Sequence, residues 1–92
     1  MRPDTTGFAV DRPWQLNPQV ALRDEAFGAL AYHYGNRRLV FLKSRTLVDL
    51  VSSLHEYPSA SDAVAALVPE QQRTSYTRAL ARLAAAEVIG AG

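Results

Sequence analysis

Residues 28–44 read GALAYHYGNRRLVFLKS, and the pattern inside them sets the fold class. Side chains along a strand alternate between two faces. Over 27–34 that alternation puts Leu30, Tyr32 and Tyr34 on one face and Ala29, Ala31 and His33 on the other, large against small. Gly35 and Asn36 both tolerate positive φ, which predicts a two-residue hairpin turn and an antiparallel return over 37–42. The returning strand carries Leu39-Val40-Phe41-Leu42, apolar on both of its faces. A chain of 92 residues has little material with which to cover both. What lies against the far side of this strand becomes the central question.

Upstream, Val20 and Leu22 alternate with Gln19, Ala21 and Arg23, which predicts a strand over 19–23. Pro18 just before it cannot donate to a ladder and belongs at a strand start or edge. Three strands joined by short links form a meander, with the second central and the third an edge. Residues 1–13 hold two prolines and one glycine without helical or strand periodicity, so a flexible arm is expected there and a single domain over 14–92.

Downstream the period changes. Ser44 is a plausible N-cap for a helix whose Leu47, Val48, Leu50, Val51 and Leu54 fall at i, i+3, i+4, i+7 spacing. Ser59 or Ser61 can cap a short second helix with Val64, Leu67 and Val68 inward, and Pro69 ends it or opens the next. A last helix is expected from about 70 to 87, closing near Gly90, with Tyr76, Leu80 and Leu83 as its apolar face and Ala79, Ala84 and Ala86 beside them. The expected fold is therefore α+β: a three-stranded antiparallel sheet followed by a three-helix bundle, in outline like a winged helix-turn-helix.

Composition narrows the function classes. Ten basic against nine acidic side chains leave a net charge of +1, a poor match for bulk nucleic acid or an anionic membrane surface. The absence of cysteine rules out disulfides and thiolate metal sites. No apolar run approaches the roughly 20 residues of a membrane span, and nothing resembles a signal peptide. A cytoplasmic location is the default.

Catalysis needs a convergent set of groups, and none is legible. His33 and His55 lie on different elements, and HEYPS lacks the second histidine of a zinc-protease signature. Asp24 and Glu25 read as a solvated acidic pair, and there is no glycine-rich phosphate loop or nucleophile elbow. No enzyme, metal or cofactor is expected. Two features remain. The edge strand RRLVFL can be covered by the chain's own elements, or it can accept an extended peptide as a further strand. The last helix, with Arg73, Arg78 and Arg82, could act as a DNA-recognition helix with the hairpin as wing. Its exposed side is lined with Ala81 and Ala85 rather than base-reading side chains, so solvated surface charge is the better reading and a winged-helix DNA-binding regulator is the alternative.

The stretch WQLNPQVALRDEAFGALAYHYGNRRLVFLKSRTLVDLVSSL, followed by YTRALARLAAAEVI, resembles the peptide chaperone family of mycofactocin biosynthesis, within the wider class of PqqD-like precursor-peptide (RiPP) recognition domains. The resemblance spans Trp14 to Ile89, with its most specific part between Asn17 and Ser44. It implies a non-catalytic chaperone that binds the leader of a ribosomally made precursor peptide and presents it to a radical SAM maturase. It also implies that the leader adds as a strand to the third strand, beside the third helix. Carried onto this sequence, Arg38, Leu39, Val40, Phe41 and Leu42 form one wall, and Tyr76, Ala79, Leu80, Arg82 and Leu83 the other. Without peptide, the open edge would be free to pair with a second copy as a homodimer, or the cleft to take up the chain's own arm.

Overall fold

A computed structural model describes residues 8–92. Its order is β1 (Trp14–Leu16), β2 (Val20–Glu25), β3 (Gly28–His33), β4 (Leu39–Leu42), α1 (Arg45–Ser53), α2 (Ala60–Leu67), α3 (Arg73–Ala85) and β5 (Ile89–Ala91), with 3-10 turns at Leu54–Glu56 and Glu70–Gln72. β2, β3 and β4 form the expected antiparallel meander with β3 in the middle. The three helices follow it, so the α+β architecture read from the sequence is the one observed.

The helices cover one face of the sheet. Ala29, Ala31 and Leu42 face them and are buried with Val48, Leu50, Val51, Leu54, Val64, Leu80 and Leu83 in one core. Small residues on β3 let the helices approach closely, while leucine and valine from the helices fill the space. Ser44 starts α1 as expected, its Oγ accepting from the Leu47 N–H at 3.0 Å. Ser59, rather than Ser61, starts α2 in the same way through Asp62.

Three details depart from the sequence reading. The hairpin is not a two-residue turn. Residues 34–37 loop between His33 and Arg38, and the left-handed residue is Arg37 at φ 65°. The cause is the buried His33 ring, whose Nδ1 accepts from the N–H groups of Gly35 at 2.9 Å and Asn36 at 3.1 Å. The loop wraps around this side chain instead of turning at once.

The last helix ends earlier than Gly90. Val88 N–H donates to Leu83 O and Glu87 N–H to Ala84 O, the paired bonds of a Schellman motif, with Glu87 at φ 64° in the position glycine usually takes. Gly90 instead lies in β5, which pairs antiparallel with β1 in a second, two-stranded sheet. Elements of three residues, joined across almost the whole chain, are too short for periodicity to reveal.

Of the expected arm, residues 1–7 lie outside the described residues. Within 8–13, Ala60 N–H donates to Arg12 O at 3.0 Å, Ser61 N–H to Val10 O at 2.8 Å, and the Phe8 ring lies 4.7 Å from that of Trp14. Among the described residues no helix is long and apolar enough to cross a membrane, and no cluster of side chains suits a metal ion.

Candidate functional site

The ladder fixes which side of β4 is open. His33 N–H donates to Arg38 O, so the His33–Arg38 pair is a hydrogen-bonded one. In an antiparallel ladder hydrogen-bonded and non-hydrogen-bonded pairs alternate. With Ala31 opposite Val40 and Ala29 opposite Leu42, the peptide groups of Val40 and Leu42 face β3. Those of Leu39 and Phe41 therefore face outward, from the last strand of the sheet. The other edge, β2, carries Arg23, Asp24 and Glu25, charges of the kind that discourage strand addition. Leu39 to Leu42 has none.

Side chains follow the same parity. Val40 and Leu42 point to the helices, and Leu42 is fully buried. Leu39 and Phe41, 58% and 59% exposed, point to the face without helices. There they stand in register with Tyr32 and Leu30, and the Phe27 ring lies 5.7 Å from Phe41. The far side of the strand thus stays largely uncovered by the described residues.

Two contacts place α3 beside β4. Just after the strand, Ser44 Oγ and Tyr76 OH are 3.0 Å apart. Just before it, Asn36 and Arg38 share an open pocket of about 290 Å³ with Ala85, Ala86 and Glu87. The helix therefore runs antiparallel to the strand, its early turns near Ser44 and its end near Arg38. From Tyr76 to Ala86 the helical rise is about 15 Å, the reach of four or five extended residues. The helical line between those two ends passes through Ala79, Leu80 and Leu83.

The residues predicted for the site fall on these two elements, β4 with its flanks and α3. Arg38 lines the pocket at the end of α3, Val40 and Tyr76 are half-buried against the core, and Ala79 is buried. Leu42, Leu80 and Leu83 belong to the core and hold the two walls in place. Arg82 is exposed next to the line through Ala79 and Leu83. The side chains of Leu39 and Phe41 are not opposite Tyr76; they lie on the other face of the sheet. Lys43 and the Asn36–Glu87 pocket were not singled out in the sequence. The pocket follows from the antiparallel run of α3 along β4, and Lys43 from its place just after the open strand.

Comparison with known proteins identifies the family. The profile described as the Peptide chaperone MftB family matches residues 13–90. The chain is 44% identical over 89 residues to a protein named Peptide chaperone MftB from Mycobacterium tuberculosis (strain ATCC 25618 / H37Rv), covering 96% of this chain and 82% of that one. It is 45% identical over 86 residues to the protein of the same name from Mycolicibacterium smegmatis (strain ATCC 700084 / mc(2)155), covering 92% and 84%. No solved structure gives a significant match. With a family profile over nearly all of its length and relatives at this identity, the chain belongs to the MftB peptide chaperone family.

Proposed function

We propose that this peptide chaperone binds an extended segment of a ribosomally made precursor as a fourth strand on β4, and hands it to a radical SAM maturase in mycofactocin biosynthesis in the cytoplasm. The single observation that carries the reading is the open edge of β4: the peptide groups of Leu39 and Phe41 face outward beside α3, on a strand with no charge of its own. An added strand would take its main-chain bonds from those two residues, while alternate side chains would face Val40, Tyr76 and Ala79 on one side and lie beside Leu39 and Phe41 on the other. Residues 14–92 would act as one recognition domain. Holding a flexible precursor near its enzyme raises effective concentration and needs no catalytic group.

The test is a calorimetric titration with the candidate precursor, and in parallel with duplex DNA at physiological salt. Saturable one-to-one binding of the peptide alone is expected. Phe41→Pro removes one outward N–H and should abolish that binding while the fold persists, whereas Phe41→Ala keeps the N–H and should retain most of it. Val40→Pro is the wrong probe, because Val40 pairs with Ala31 and its loss would damage the sheet itself. Equal binding by wild type and Phe41→Pro would exclude strand addition at this edge.

A further inference from the structure

Five cations lie on the elements that flank the open edge, with the acidic Glu87 lining the pocket beside Arg38. Arg37 and Arg38 precede β4, Lys43 follows it, and Arg78 and Arg82 project from α3. All five are exposed, and none has an ion-pair partner among the described residues. Of the other described cations, Arg23 pairs with Glu25 at 3.1 Å, Arg45 lies 3.7 Å from Asp24, Arg73 donates to the carbonyls of Val68 and Ala65, and Arg12, exposed ahead of β1, makes no ion pair. α3 itself contains no acidic residue. Among the described residues, most of the cations without an ion pair therefore lie on the two flanks of β4 and on α3.

Strand parity gives this charge a pattern. Arg38 shares the parity of Val40 and Leu42 and lines the pocket with Ala85, Ala86 and Glu87, on the α3 side. Lys43 shares the parity of Leu39 and Phe41, on the helix-free face. The two are five residues apart and on opposite faces. An added strand matches both only if it has two acidic side chains at i and i+5, an odd separation that also sends them to opposite faces.

For a strand added parallel to β4, starting from the acid opposite Arg38, the i+1 and i+3 side chains would stand beside Leu39 and Phe41 and extend that apolar surface. The i+2 side chain would face α3 near Ala79, where a small residue fits best. Two copies of this chain do not meet the pattern, since antiparallel pairing through β4 would bring Arg37 and Arg38 of one against Lys43 of the other.

Resting on the strand-addition reading above, we infer that the segment recognised by β4 is an acidic strand with the pattern acid, apolar, small, apolar, any residue, acid. The site reads charge at the two ends of the strand and apolar character on one face between them.

The test uses the full chain, labelled with ¹⁵N, and three synthetic twelve-residue peptides. Their central six residues are Glu-Val-Ala-Val-Thr-Glu, the same with both acids replaced by Gln, and the same with both replaced by Lys. The acidic peptide is expected to move the amide signals of Leu39 and Phe41 and to bind at least about tenfold more tightly than the lysine peptide, with the Gln peptide between. The gap should narrow at 0.5 M NaCl. The double variant Arg38→Glu with Lys43→Glu should reverse the order of the acidic and lysine peptides.

If all three peptides move those amides with equal affinity, the charge pattern is overturned and strand addition survives. If none moves them, strand addition falls and the inference falls with it. A free chain that sediments as a dimer with those same amides protected would assign the edge to a second copy, and would also overturn it.

Discussion

Gly28 opens β3 at φ +147°, and a Cβ built there would run into the Leu42 carbonyl across the ladder. Both the backbone angle and the space demand glycine. Gly90 in β5 has nothing within 4 Å of an added Cβ. Gly28→Ala is therefore expected to cost about 2–4 kcal/mol and Gly90→Ala less than about 0.5 kcal/mol, measured as urea midpoints. Glu87 is the reverse case, a residue with a Cβ held left-handed at a helix end, where Asn17 Nδ2 donates to its carbonyl at 2.8 Å. Glu87→Gly should raise stability by about 0.5–1 kcal/mol, because strain is relieved and no core contact is lost. Reading Gly90 as the helix terminator follows the usual preference for glycine at that position. It fails here because the buried pair Leu83 and Val88, with Asn17, fixes the turn three residues earlier.

The start of α1 was legible because its signal is local: a serine, then an apolar stripe at helical spacing. What Ser44 also does was not legible, since its second partner, Tyr76, comes 32 residues later. The same hydroxyl caps α1 through Leu47 and links α1 to α3. Ser44→Ala is expected to lose about 1–2 kcal/mol and Tyr76→Phe about 0.5–1.5 kcal/mol. The double variant should lose less than the sum, because each single change already breaks the shared bond. Strict additivity in chemical denaturation would show that the hydroxyl pair contributes nothing. The strands were likewise legible through period two, including which faces of β3 and β4 carry large residues. The hairpin loop was not, because its geometry follows the buried acceptor on His33 rather than the turn preference of Gly35 and Asn36. The candidate site was half visible: its strand was apolar on both faces in the sequence, but the direction of α3, and with it the pocket beside Arg38, depends on tertiary packing.

At the scale of the whole molecule, β1 and β5 tie the two described ends of the chain together, with Asn17 N–H donating to Val88 O at 2.9 Å and Gly92 N–H to Pro13 O at 3.0 Å. The core they close is small, and Leu39, Phe41, Phe27 and Tyr34 remain exposed around β4 and its loop. A domain of this size has modest stability of its own. A ligand that binds only the folded state adds to that stability by mass action. At a free peptide concentration of 100 times Kd the gain is about 2.7 kcal/mol. For a domain of about 90 residues that corresponds to a rise in Tm of roughly 10–20 °C. Such a shift should appear with the precursor segment, grow with the logarithm of its concentration, and vanish in Phe41→Pro, whose own Tm should lie close to that of the wild type because the lost N–H faces outward. A Tm that does not move at peptide concentrations saturating in calorimetry would mean that the peptide binds folded and unfolded chains alike, and a built groove between β4 and α3 would then have no part in its recognition.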